Sequence, residues 1–379
     1  MDLAGTYTPG GAGQEAPVGA RQAGVAGAAP APAPALSRVA WLDAARGLGI
    51  VLVVIGHALG GLIDSRLGGG LLLRQAQFAI YTFHMPLFFL LAGLTVERRV
   101  ARGAGPFVAA LLPSLAWPYV LWSVIQFTAV WAAGPLVNRP AGGWWDTVLA
   151  LPWHPLGQFW FLHALLCLHG IAALVLPRLG REGLLLLALV LRPLAAVVPL
   201  DPAVRVIVLN FAWYAIGVWL GIGGLQGLVV NRVAWVRAAG LPLGAVVLVS
   251  LTLRGLPLFA PGAQLGSASA AGIALLAWSL PAGAAALGGA LAAVALASWP
   301  RLQAGGVLAA LGRQTMPIYL LHIMALAGAR IVLMRAGVTA PGLLVALPVA
   351  AGLAGPLVAA AAARRLGVAR ALGLGHAAA

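Results

Sequence analysis

From residue 41 onward the chain alternates long apolar runs with short polar breaks. A helix needs about 20 apolar residues to cross the hydrocarbon core of a bilayer. Runs of about that length occupy 41–63, 75–96, 107–133, 156–177, 183–200, 204–224, 234–253, 268–298, 316–336 and 341–363. The pattern predicts an all-α integral membrane protein, a bundle of about ten transmembrane helices lying in a lipid bilayer. The fifth run is interrupted by Arg192, and in the long eighth run Pro281 and the surrounding glycines allow a kink. Residues 1–37, with stretches such as "AGAAPAPAPAL", are too rich in Gly, Ala and Pro to build a core and read as a disordered tail. The membrane domain then covers 38–363, and 364–379 forms a short basic tail.

Composition agrees: 62% of residues are hydrophobic and 8% charged, against about 25% charged in soluble domains. The net charge of +15 comes from 23 basic residues, every one an arginine. They punctuate the apolar runs instead of forming a patch, which argues against nucleic acid as a partner and for a topological role. With ten spans, fourteen arginines fall in the tails and loops on the side of the N-terminus, four on the opposite side and five within or at the ends of spans. By the positive-inside rule both termini are cytoplasmic. The Gly- and Ala-rich, lysine-free composition suggests a bacterial chain, and hence the cell (inner) membrane. A single cysteine, Cys167, excludes an intrachain disulfide. No HxxxH or HExxH pair occurs and no carboxylate sits at ligand spacing to the histidines, so no metal site is expected.

Ionisable residues inside spans are costly and are functional candidates by default. In span 1, "WLDAARGLGIVLVVIGHALGGLI", Arg46 and His57 stand eleven residues apart, within about 20° of one face. Asp43 can pair with Arg46 on that face, either as an interfacial ion pair that fixes the helix end or as part of a site. His57 is either a helix–helix hydrogen bond or a proton acceptor, since imidazole exchanges a proton near pH 7. Gly56 and Gly60 let a neighbouring helix approach. In span 2, "QAQFAIYTFHMPLFFLLAGL", Gln77, Tyr81 and His84 share a face, and His57 and His84 come out at matching depth from the same side. His84 could instead serve only the backbone loosened by Pro86. Trp160 and His163 share a face of span 4, and Tyr319 and His322 a face of span 9, where a structural and a catalytic use are both open.

"RVAWLDAARGLGIVLVVIGH" followed by "FHMPLFFLLAGL" resembles the acyltransferase 3 family of membrane acyltransferases, and within it the branch described as fucose 4-O-acetylase-like. "PYVLW", "FWFLHALL", "FAWYAIGVWLG" and "GRQTMPIYLLH" extend the resemblance over roughly 38–363. It implies a ten-helix enzyme that takes an acyl group, commonly acetyl, from cytosolic acyl-CoA and delivers it to a hydroxyl of a sugar or polymer. It carries the family's histidine onto His57, its preceding acid and base onto Asp43 and Arg46, and its Tyr-x-x-His onto Tyr319 and His322. Two departures stand out. The basic residues common before the "PY" of span 3 are missing from "FVAALLPSLAWPY", leaving Arg98, Arg99 and Arg102 of the preceding loop as the nearest substitutes for contacting CoA. The small "SG" common after the span-2 aromatic run is Ala92–Gly93.

Acyl transfer to an alcohol needs a base. The reading of the sequence is that His57 takes the hydroxyl proton while His84 orients it or steadies the oxyanion. Arg46 and the 98–102 loop would meet the CoA phosphates, and Trp160, His163, Tyr319 and His322 would support the site. Acyl-CoA is then a donor substrate, with no bound cofactor. The rival class is a proton-coupled multi-span transporter of a small organic solute, against which the lack of an evident internal repeat counts. A non-catalytic partner in glycan assembly is a third reading.

Overall fold

The computed structural model describes residues 39–65, 70–134, 143–232, 268–304 and 306–375. Among them every regular element is a helix. The expected run at 234–253, the tail 1–37, His376 and Arg21, Arg38, Arg66, Arg139, Arg237 and Arg254 lie outside the described residues. Among the described residues, seven helical stretches are long and apolar enough to cross a membrane: Ala40–Asp64, Leu71–Ala101, Ala104–Ala133, Gly157–Ala195, Pro202–Leu228, Thr315–Arg335 and Pro341–Arg365. A helix is the natural answer to such a sequence, because it satisfies every backbone polar group internally where no water is at hand. Large apolar side chains such as Leu112, Val332 and Val358 point outward, each more than 60% exposed, as on a lipid-facing surface.

The elements run α1 (Ala40–Asp64), α2 (Leu71–Gly93), α3 (Val96–Ala101), α4 (Ala104–Leu111), a π-helical turn at Leu112–Ala116, α5 (Trp117–Ala133), α6 (Trp144–Ala150), α7 (Trp160–Val197) and α8 (Pro202–Leu228), then α9 (Ala268–Ala297), α10 (Pro300–Ala304), α11 (Val307–Arg313), α12 (Thr315–Arg335) and α13 (Pro341–Arg365). The runs at 156–177 and 183–200 form the single element α7, which breaks at Gly180 (φ 67°, ψ −175°), so it consists of two helices joined at a turn. The eighth run corresponds to α9.

α1 is the centre of the bundle, packed against α2, α9, α11, α12 and α13. Two close approaches set its neighbours. On one side Gly47 meets the backbone of Leu308 while Gly312 of α11 meets the backbone of Asp43; a Cβ at either glycine would sit inside a carbonyl group. On the other side Gly56 receives the ring of Tyr81, whose Cε1 would be 2.6 Å from a Cβ there, and Gly60 abuts the side-chain amide of Gln77. The small-residue pair read in span 1 is thus where α2 docks.

Candidate functional site

Two cavities meet inside the bundle. The smaller, about 340 Å³, is lined by His57 of α1, by Tyr81, Thr82 and His84 of α2, by Gln158 and Trp160 around the start of α7, by Asn210 of α8 and by Tyr319 of α12. The larger, about 860 Å³, holds Arg46, Arg99, Arg313 and Arg370 among its lining residues and no Asp or Glu among those described. Val53, Met85 and Tyr319 line both, so these three side chains form the partition. Arg46 and His57, on one stripe of α1, therefore serve different chambers, roughly 16 Å apart along the helix.

His57 stands among aromatic and imidazole rings. Its Nδ1 is 3.4 Å from the Tyr81 hydroxyl, and its ring centroid lies 5.9 Å from Tyr81 and 5.2 Å from His322. His322 is fully buried, and its Nδ1 donates to the carbonyls of Tyr319 at 2.8 Å and Ile318 at 3.0 Å. A carbonyl only accepts, so the proton sits on Nδ1 and Nε2 keeps its lone pair; Nε2 is buried without a partner. The same reasoning fixes His84, whose Nδ1 donates to the Ile80 carbonyl at 2.8 Å. Its ring is 5.0 Å from that of Tyr81. Pro86 lies inside α2 two residues later, where it removes the helical hydrogen bond to residue 82.

Tyr319 is held in the partition by donating its hydroxyl to the Gln158 carbonyl. Gln158 in turn exchanges two amide hydrogen bonds with Gln126 of α5, at 3.0 and 2.7 Å. In an apolar interior that reciprocal pair satisfies two groups that would each be costly alone. Asp43 and Arg46 pair at 3.7 Å. Arg99 places its guanidinium over Phe107, 5.0 Å from the ring centre, and Phe107 stacks on His169 at 5.5 Å.

Of the residues singled out from sequence, His57, His84, Trp160 and Tyr319 share the smaller chamber, and His322 packs behind His57. Arg46 and Arg99 line the larger one, and Asp43 pairs with Arg46. His163 stands apart from both: it is buried, hydrogen-bonded through Nε2 to the Pro152 carbonyl at 2.9 Å and packed on Tyr119. Arg98 and Arg102 are exposed and line neither chamber. Sequence reasoning missed Asn210, Gln158 and Thr82 in the smaller chamber and His169, Arg313 and Arg370 in the larger. A lone Asn in "VIVLNFAWY" and a lone Gln in "PLGQFWF" were legible signals; nothing in the basic tail pointed Arg370 inward. Among the described residues no three His, Cys, Asp or Glu converge as metal ligands.

The arrangement suits proton transfer in the smaller chamber and binding of an anionic group in the larger, with Tyr319 between them. The nodulation protein NolL of Mesorhizobium japonicum (strain LMG 29417 / CECT 9101 / MAFF 303099) is similar, 33% identical over 150 residues that make up 38% of this chain and 37% of NolL. The chain thus spans well under half the length of that curated relative. No solved structure matches. The family Acyl_transf_3, described as an acyltransferase domain, matches residues 39–363, which include every lining residue of both chambers except Arg370, Gly373, Leu374 and Gly375. The chain belongs to this acyltransferase 3 family.

Proposed function

We propose that the protein moves an acyl group, acetyl in the simplest case, from cytosolic acyl-CoA to a hydroxyl of a sugar or glycan, as in the fucose 4-O-acetylase-like branch of the family. The observation that carries this reading is the pair of chambers joined across Tyr319, one ringed by arginines and the other holding His57. The nucleotide end of acyl-CoA occupies the arginine chamber, where guanidinium groups suit phosphates, and the thioester reaches the partition. An acceptor hydroxyl enters the smaller chamber, where Trp160 offers an apolar face and Asn210 and Thr82 offer hydrogen bonds, a mixture that suits a sugar ring. His57 removes the hydroxyl proton as the oxygen attacks the thioester carbon. The C–S bond then breaks and the CoA thiolate leaves, taking a proton. His322, an acceptor at its buried Nε2, orients His57 and stabilises it once protonated, a role the sequence assigned to His84. His84 lines the acceptor side. Arg99 is the one arginine of the 98–102 loop in the chamber and stands in for the missing span-3 bases.

The test is incubation of membranes carrying the protein with radiolabelled acetyl-CoA. Label is expected in extractable glycan or lipid-linked sugar. Uptake of a solute with no transfer of label would instead favour a transporter.

The reading also requires ten spans in a bacterial inner membrane, with both termini cytoplasmic, so that the arginine chamber opens to cytosolic CoA. With Cys167 replaced by Ala, a cysteine at Ala141 should react with an impermeant reagent added from outside, and one at Ala101 should not. The opposite pattern would invert the topology and remove the donor from its chamber.

A further inference from the structure

The C-terminal segment beyond the last long helix is built into the larger chamber. Residues 364–375 read "RRLGVARALGLG". α13 ends at a turn on Gly367 (φ 73°), closed by the Val368 N–H on the Ala363 carbonyl at 3.0 Å. One further turn follows and closes in the same way at Gly373 (φ 65°), with the Leu374 N–H on the Ala369 carbonyl at 2.8 Å. Gly373 lies against Pro118, whose Cγ would be 2.6 Å from a Cβ, so both its backbone angle and its surroundings require glycine. Two indoles of α5 tie the segment down: Trp117 donates to the Ala371 carbonyl and Trp122 to the Leu372 carbonyl, each at 2.7 Å. Leu374 is 2% exposed and joins the main apolar core. A basic tail dangling in solvent would show none of this.

What the segment adds to the chamber is a cation. Of the four arginines there among the described residues, Arg46 is already engaged by Asp43 and Arg99 lies over Phe107. Arg313 and Arg370 complete the set. The family match ends at residue 363, so Arg370 comes from a part of this chain that the match does not cover. We propose that Leu366–Gly375 is a fixed wall of the donor-binding site, in which Arg370 contacts the phosphate groups of an anionic acyl donor. This rests on the larger chamber being the acyl-CoA site.

The experiment is acetyl-CoA binding to the full-length protein in lipid nanodiscs. Arg370 is exposed, so Arg370→Gln leaves the packing intact. Its Kd for acetyl-CoA should rise about three- to tenfold, the scale of one partly exposed charge-assisted contact. Arg370→Lys should recover part of the loss, and the gap from wild type should narrow at high salt. Trp117→Phe with Trp122→Phe removes both tethers and should weaken binding as well. A wild-type Kd in Arg370→Gln would overturn the proposal and leave the acyl-CoA reading standing. A loss indifferent to salt and to Lys would mean that only packing had been disturbed, and would overturn it too. A wild-type protein that binds no acetyl-CoA would overturn the reading of the chamber and this proposal with it.

Discussion

Replacing His57 with Gln should leave the protein inserted, folded and able to bind acetyl-CoA, and should lower acyl transfer by about 10²–10⁴-fold, the span expected for a positioned general base. Gln keeps hydrogen-bonding groups of similar reach but cannot take up a proton. If the imidazole served only to join helices, its worth would be about 0.6–2 kcal/mol, Gln would supply much of that, and the rate per folded molecule would barely change. Turnover and donor affinity, measured together in the same nanodisc preparation, separate the cases. A His57→Gln protein that transfers acetyl at near the wild-type rate would sink the assignment. His322→Asn makes a smaller companion effect, since it removes the acceptor behind the base and leaves the base itself.

The second large effect is on stability. Gly312→Val should destabilise the protein by about 3 kcal/mol, the upper end of what overpacking usually costs, because even its Cβ would collide with the Asp43 carbonyl. The collision is with backbone, so no side-chain rotation relieves it and α1 and α11 must separate. The outcome to look for is loss of monodisperse protein on solubilisation and a lower thermal midpoint. Gly328→Ala is the control: it lies in α12 with nothing within 4 Å of a Cβ, and alanine favours helix. If the two variants behaved alike, the contact would be wrong.

That glycine contact also explains how the site is assembled. Gly47 and Gly312 bring two backbones together, and His57 and His322 each lie ten residues further along their chains, where their rings meet at 5.2 Å. Depths taken from the ends of the apolar runs put His57 nearer one membrane face and His322 nearer the other, and so kept them apart. An apolar run records how much chain lies in lipid, but it carries no record of how far one helix slides past its neighbour. The contact between two glycines decides that.

Much was nonetheless legible in the order of residues. Membrane insertion and helical structure follow from apolar length, because hydrocarbon leaves the backbone no other means of satisfying its polar groups. The stripe of Asp43, Arg46 and His57 follows from helical periodicity, and the close approach of some neighbouring helix at Gly56 and Gly60 follows from small residues at spacing four, though not that this helix is α2. The motif run that spans 38–363 marked the family. Only the tertiary structure divided the stripe between two chambers, set Tyr319 as the partition through a backbone carbonyl 161 positions away, joined Gln126 to Gln158, turned His163 to the Pro152 carbonyl, and folded the basic tail inward to bring Arg370 into the arginine chamber. Each of these depends on which helix is neighbour to which and at what register. Periodicity within one helix assigns faces, whereas packing between helices assigns partners.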